Sequence, residues 1–129
     1  MENSKLEEEI IRKYIVKEKR ERLIWELSNS KKRNTVFWHF AGPKYFKREC
    51  LQPISYMTGN TMSSYLLKLS EAKNVYFIGE NYIGVLSLEE AVNKAQTGEI
   101  CIIYCGKGLG YYQGEEENGK TPRFLLLAP

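Results

Sequence analysis

The chain has 129 residues, a mass of 15.0 kDa and a formal net charge of +3. Hydrophobic residues make up 43% and charged residues 27%, which is ordinary for one folded domain of this length. Apolar runs such as residues 125–128 are far shorter than the roughly 20 residues of a membrane-spanning helix, so we expect no membrane protein. The acidic N-terminus carries no apolar signal region, and we expect a cytoplasmic location.

The residue types exclude several chemistries. Aspartate is absent, and His39 is the only histidine. A Ser-His-Asp triad and an Asp-initiated EF-hand loop are therefore impossible, although a glutamate can replace the aspartate of a triad. The cysteines lie singly, without the paired spacing of zinc ligands, so we expect no metal and no cofactor. Their odd number favours reduced thiols in the cytoplasm over a disulfide framework. They are Cys50, Cys101 and Cys105.

Charge is distributed unevenly along the chain. Residues 1–48 contain 13 Lys and Arg against 7 Glu, a net charge of +6, and residues 49–129 contain 6 against 9, a net charge of −3. No Gly/Ser-rich linker separates the two parts. We therefore expect a single domain over 1–129, with a basic helical half at 1–43 and a mixed helix and strand half at 61–129.

The basic half predicts three helices. A capping box, Ser4-x-x-Glu7, predicts that the first begins at Ser4. The second covers residues 17–27, and polar residues 28–30 separate it from a third helix over 31–40. The apolar stripes expected to face the core are Leu23, Ile24 and Leu27 on the second helix and Val36, Phe37 and Phe40 on the third.

The mixed half predicts strands separated by two helices. The predicted elements are a loop over 44–60 with a short strand at 50–54, a helix from Asn60 or Thr61 to residue 73, a strand at 75–78, a helix from the Ser87-x-x-Glu90 capping box to Gly98, and strands at 99–105, 111–114 and 123–127. This order predicts an antiparallel meander with the helices on one face. The fold class is α+β, with N-terminal helices packed with a small C-terminal antiparallel sheet that carries one or two further helices.

The glycine run from Gly106 to Gly110 has some likeness to a phosphate-binding loop. Such loops open a helix, but here an aromatic strand follows. Glycines supply the positive φ that a tight reversal between strands requires, so we interpret this run as a hairpin turn.

A basic cluster on the second and third helices is the strongest surface feature of the sequence. It fits an acidic protein partner or nucleic acid, and it also fits a solvated face whose cations pair with neighbouring glutamates. No nucleic-acid-binding motif accompanies it. Nucleic-acid-binding domains typically have a pI above about 9, and the pI of this chain is about 8.7. The candidate basic residues are Arg20, Arg22, Lys31, Lys32 and Arg33.

Four further residues complete the candidate set: Trp38, His39, Tyr111 and Tyr112. His39 lies near the predicted end of the third helix, where an imidazole interacts with the helix terminus or serves as a general base. Tyr111 and Tyr112 point to opposite faces of their strand, so we expect one of them to face water or a partner.

Two groups of motifs resemble a known family. The first is Tyr14-Ile15-Val16 and Arg20-Glu21-Arg22, followed by Leu27-Ser28-Asn29 and Lys31-Lys32-Arg33; the second is Gly108-Leu109-Gly110-Tyr111-Tyr112 with Arg123-Phe124-x-Leu126. In these motifs the chain resembles a family of small bacterial α+β proteins with a basic N-terminal helical segment and a C-terminal β-meander. The resemblance touches both ends of the chain but not residues 44–60. It implies a bacterial, cytoplasmic protein and no particular activity.

These observations favour a non-catalytic protein-binding protein, such as an immunity-type inhibitor or regulator that masks a toxin or another acidic partner. The alternative is a nucleic-acid-binding protein that uses the basic helices. An enzyme that combines His39 or Cys105 with a glutamate is a third, less favoured class.

Overall fold

A six-stranded antiparallel sheet lies between two layers of helices. The computed structural model describes residues 2–54, 57 and 59–129, with the backbone alone at Glu2 and Leu69. The strand order in the sheet is β1-β6-β5-β4-β2-β3, and every neighbouring pair is antiparallel. The predicted α+β class is confirmed.

The elements follow one another along the chain with short connections. The helices are α1 (Glu2–Tyr14), α2 (Lys17–Ser28), α3 (Gly59–Leu69) and α4 (Leu88–Gln96), and the 3₁₀ helices are η1 (Arg33–Phe40), η2 (Pro43–Tyr45) and η3 (Arg48–Cys50). The strands are β1 (Leu51–Pro53), β2 (Asn74–Gly79), β3 (Ile83–Ser87), β4 (Cys101–Gly106), β5 (Leu109–Gln113) and β6 (Arg123–Leu127).

The first core lies between one face of the sheet and the N-terminal helices. It joins buried side chains of α1, α2 and η1 to those of the sheet. The predicted apolar stripes of α2 and η1 are buried here, with Ile24 half-buried. The sheet contributes Tyr76, Ile78, Ile102, Tyr104, Tyr112 and Leu126 to this core.

The second core covers the opposite face, so the prediction that the helices share one face is wrong. Helices α3 and α4 pack on this face, where the sheet contributes Val75, Phe77, Cys101, Ile103, Tyr111 and Leu125. The physical reason is visible in β4, where four successive residues from Cys101 to Tyr104 are buried. Side chains of a strand alternate between faces, so such a run requires cover on both sides.

Several helix boundaries differ from the predictions. Helix α1 begins at Glu2, so Ser4 lies inside its first turn and does not cap it. The third helix is the 3₁₀ helix η1, which begins at Arg33, because Thr35, Val36 and the aromatic residues that follow are weak α-helix formers. Helix α3 begins at Gly59, before the predicted capping residues, and ends at Leu69 rather than residue 73.

The segment predicted as a loop over 44–60 contains η2, η3 and the short strand β1. The predicted strand at 50–54 is confirmed at Leu51–Pro53. The parts of the loop prediction that fall on residues 55, 56 and 58 lie outside the described residues. Strand β3 was not predicted, since its five residues include a glycine that interrupts the apolar pattern.

Two predicted local motifs are confirmed. Ser87 Oγ accepts a hydrogen bond from Glu90 N at 3.1 Å, and the Glu90 carboxylate accepts one from Ser87 N at 3.2 Å, so the capping box starts α4. The glycine run forms the β4–β5 turn, with positive φ from Gly106 through Gly108. A Cβ on Gly108 would lie 2.1 Å from Ala128 O, so this turn requires glycine there.

Edge strand β1 is a poor site for addition of another strand. Leu51 N–H donates to Arg48 O, and Pro53 has no N–H, so few backbone N–H groups are left for a partner strand. At the other edge, the Tyr82 hydroxyl donates to Val85 O of β3 at 3.0 Å. Among the helices of the described residues, none is both long enough and apolar enough to cross a membrane.

Candidate functional site

Arg33, predicted to bind a partner, is instead part of a buried ion pair. Its Nη1 and Nη2 donate to Glu7 Oε1 at 3.0 Å and Oε2 at 2.6 Å, and Nη1 also donates to Leu27 O at 2.6 Å. The Tyr76 hydroxyl donates to the same Glu7 carboxylate, which is 4% exposed. Arg33, whose side chain is 30% exposed, thus joins α1, α2 and η1 to strand β2 through the buried Glu7 carboxylate.

The contacts in this cluster shift the pKa values of Arg33 and Tyr76. The hydrogen bond to Glu7 raises the pKa of the Arg33 guanidinium. Burial, followed by the hydrogen bond to Glu7, raises the pKa of the Tyr76 hydroxyl. Both shifts keep the two groups protonated, so each of them remains a hydrogen-bond donor to the Glu7 carboxylate.

A second buried carboxylate, Glu26, organises the junction of α2 and η1. Arg22 Nε donates to Glu26 Oε2 at 2.8 Å, and His39 Nε2 lies 2.9 Å from Glu26 Oε1. The His39 ring stacks on Tyr45 with centroids 5.2 Å apart, and Lys19 Nζ lies 5.3 Å from the centre of the Tyr45 ring. His39 is therefore held by a side chain of α2 rather than by a terminal helix carbonyl.

The hydrogen bonds to Glu26 predict a pH dependence of stability. Burial opposes ionisation, but the hydrogen bonds from Arg22 and His39 outweigh it and lower the pKa of the Glu26 carboxyl. A lowered pKa in the folded state means that the carboxylate stabilises the fold above its unfolded pKa of about 4.3. This contribution is lost as the pH falls through the lower, folded value.

We therefore expect Glu26→Gln to lower the free energy of unfolding by about 1–3 kcal/mol at pH 7, the range for weakening buried hydrogen bonds to a charge. The difference in free energy of unfolding between this variant and the unmodified protein should become smaller below about pH 4.3, where the carboxyl is protonated in the unfolded chain. Urea unfolding at several pH values measures both effects. Glu21→Gln, at an exposed position of the same helix, is the control, and a difference that stays constant with pH would contradict the assignment.

Arg20 and Arg22 also form hydrogen bonds within the protein. Arg20 Nε donates to Ile15 O at 2.9 Å and so closes the junction of α1 and α2. Arg22 is exposed but paired with Glu26. The prediction of these arginines as partner-binding residues overlooked the internal acceptors that the fold places beside them.

Tyr111 and Tyr112 are both fully buried, so the prediction that one of them faces water or a partner is wrong. They do point to opposite faces of β5, but each face is covered by helices. The Tyr111 hydroxyl donates to Gln113 Oε1 at 2.7 Å, and the Tyr112 hydroxyl donates to Phe40 O. Their hydroxyl groups therefore satisfy interior acceptors.

The structure does not bring His39 and Cys105 together. Cys105 packs against the second core, on the sheet face opposite the layer that contains His39. Burial raises the pKa of the Cys105 thiol, which disfavours the thiolate. Within the described residues, no group of three or more His, Cys or acidic side chains is placed to hold a metal ion.

Four of the predicted residues are exposed: Arg22, which pairs with Glu26, and Lys31, Lys32 and Trp38. In a 3₁₀ helix, residues three apart lie above one another, and Lys32, Thr35 and Trp38 form such a row on the solvent side of η1. The Trp38 side chain is 56% exposed, and its ring contacts Phe37 of the core at 4.7 Å between centroids. We call Lys31, Lys32, Thr35 and Trp38 the Lys–Trp surface.

Trp25 is a further exposed aromatic residue that was not among the predicted site residues. It lies on α2, one residue before Glu26, and is 50% exposed. In the sequence it lies at the margin of the apolar stripe of that helix, and this position predicts a residue at the boundary of the core. Both tryptophans of the chain are thus at the surface of the N-terminal layer.

No family of known proteins, no curated protein and no solved structure matches this chain. The resemblance to small bacterial proteins therefore stays a prediction.

Proposed function

We propose that this chain is a non-catalytic protein-binding protein and that its Lys–Trp surface contacts an acidic partner. The observation that carries this proposal is the half-exposed ring of Trp38, fixed on a helix whose other side is buried. Tryptophan is enriched among residues that dominate binding energies, because one rigid ring buries a large area at low entropic cost. Lys31 and Lys32 lie in the same surface, and their ammonium groups form no ion pair within the described chain.

The hydrogen bonds that the arginines form within the protein favour a protein partner over nucleic acid. Affinity for nucleic acid depends on several cations that meet phosphates. Arg33 and Arg20 donate to Glu7 and to Ile15 O, so the predicted cluster offers chiefly its lysines to an incoming ligand. A surface of one large aromatic ring beside two lysines fits the centre of a protein interface better than a phosphate track.

Within this class we propose an immunity-type inhibitor or a regulator in the bacterial cytoplasm. The small size of the chain and the aromatic and basic character of the surface support an inhibitor that covers an acidic face of its target. The cysteines are free, which fits a reducing compartment.

The experiment is affinity capture from a nuclease-treated bacterial lysate, followed by titration of the captured protein. We expect one acidic protein to bind the unmodified chain and to be lost with Trp38→Ala and with Lys31→Glu/Lys32→Glu. Leu67→Ala is the matched control, since Leu67 is 49% exposed on α3, in the other helical layer. Retention by all variants would contradict the proposal, and capture of nucleic acid from an untreated lysate by the same surface would favour the alternative.

A further inference from the structure

An open groove of about 830 Å³ lies where the α1–α2 junction meets residues 43–51. The apolar residues that form its floor are Val16 and Leu51, which are partly exposed, and Phe46, which is only 2% exposed. Its rim is charged and carries four cations and two glutamates. The rim residues are Lys17, Lys44, Lys47, Arg48, Glu18 and Glu49.

The groove is built on backbone contacts that fix its shape. Val16 N donates to Tyr45 O at 2.9 Å, and Lys47 N donates to Tyr14 O at 2.8 Å. Between these bonds, Ile15 and Phe46 form an isolated antiparallel bridge. Residues 43–47 are thereby fastened to the α1–α2 junction.

The rim has an unbalanced charge. Four cations against two carboxylates give it a net charge of +2. Lys17, Lys44 and Arg48 are exposed and form no ion pair with any described residue. Lys47 Nζ donates to Arg12 O at 3.3 Å, which leaves its remaining N–H groups for a ligand. Such a rim attracts anionic groups, and its attraction weakens as salt rises.

The groove recognises its ligand through side chains. Leu51 belongs to edge strand β1, but its N–H is used by Arg48 O, and Pro53 lacks an N–H. Pairing of an added strand is therefore disfavoured at this edge. An apolar floor below a basic rim is complementary to a chain that presents carboxylates on both sides of an apolar side chain.

We propose that this groove binds an extended acidic peptide segment that places an apolar side chain against Val16 and Leu51. The groove shares no residue with the Lys–Trp surface. The inference therefore goes beyond the proposed function, and each can fail without the other.

The test measures fluorescence anisotropy of a labelled peptide, Glu-Glu-Leu-Glu-Leu-Glu-Glu, at about 0.15 M salt, where the Debye length is about 8 Å. We expect Lys44→Glu/Arg48→Glu to weaken its binding by at least about tenfold, because the rim charge then becomes negative. Lys31→Glu/Lys32→Glu changes the net charge of the protein equally and should alter the affinity by less than about twofold, since the effect of a remote charge is screened. A peptide with Gln in place of every Glu should bind far more weakly.

Three outcomes would overturn this inference: no binding of the acidic peptide, equal binding of the Gln peptide, or equal losses in the two double variants. Displacement of the peptide by lower concentrations of a single-stranded oligonucleotide would reassign the groove to nucleic acid. Thermal unfolding of each variant checks its fold. If Lys44→Glu/Arg48→Glu is unfolded, Lys44→Gln/Arg48→Gln replaces it. We expect this variant to lose less affinity for the peptide, and an unchanged affinity would contradict the proposal.

Discussion

Arg33→Ala should lower the free energy of unfolding by about 3–5 kcal/mol at pH 7, the cost of leaving one partner of a buried ion pair alone. Its neighbour Lys32 is exposed, and Lys32→Ala should change the same quantity by less than about 0.5 kcal/mol. The contrast arises because Arg33 donates to a Glu7 carboxylate that is almost fully buried, whereas Lys32 faces solvent. Urea unfolding monitored by circular dichroism measures both values.

A second substitution separates the loss of the buried ion pair from other effects of Arg33→Ala. Glu7→Gln removes the charge that the first substitution leaves unpaired, and the Tyr76 hydroxyl still finds an amide oxygen to donate to. We therefore expect Arg33→Ala/Glu7→Gln to be more stable than Arg33→Ala. Equal effects of Arg33→Ala and Lys32→Ala would show that Arg33 belongs to the exposed surface after all.

Phe40→Ala should lower the free energy of unfolding by about 3–5 kcal/mol, the range for removing a buried aromatic ring. Phe40 is completely buried in η1, and its ring lies 5.5 Å from that of Phe46. Phe46 in turn lies 4.3 Å from Tyr112 of β5, which stacks on Phe124 of β6 at 5.6 Å. This row of rings connects the basic half of the chain to the sheet.

The same substitution tests whether residues 1–129 unfold as one domain. Because the aromatic row crosses between the halves, we expect Phe40→Ala to shift one common transition, seen alike by tryptophan fluorescence and by far-ultraviolet circular dichroism. Both tryptophans report on the N-terminal layer, and circular dichroism also reports on the sheet. Two separated transitions in the unmodified protein would show that the halves fold independently.

Local motifs were predictable from the sequence because the residues that determine them are neighbours. The Ser87 capping box, the glycine turn and strand β6 each depend on a few adjacent residues. Which residues of the basic cluster make internal contacts and which face solvent was not predictable in this way. Arg33 is distinguished from its exposed neighbour Lys32 by its contacts with Leu27 O and with Glu7, which lies 26 positions away in sequence.

The burial of Tyr111 and Tyr112 has a similar non-local cause. Alternation along β5 predicts opposite faces, but only the placement of α3 and α4 opposite the N-terminal helices determines that both faces are covered. The groove could not be predicted for the same reason, since its floor combines Val16, Phe46 and Leu51 from three separate segments of the chain. Residue types alone give no indication that these positions meet.

In the function that we propose, Trp38 anchors an acidic protein partner. The most direct test of this function is the dissociation constant of the isolated partner, measured by isothermal titration calorimetry with the unmodified chain and with Trp38→Ala. A central aromatic anchor contributes about 2 kcal/mol or more, so we expect binding to weaken by about 30-fold or more. Leu67→Ala should leave the constant unchanged. A dissociation constant for Trp38→Ala equal to that of the unmodified protein would contradict the claim.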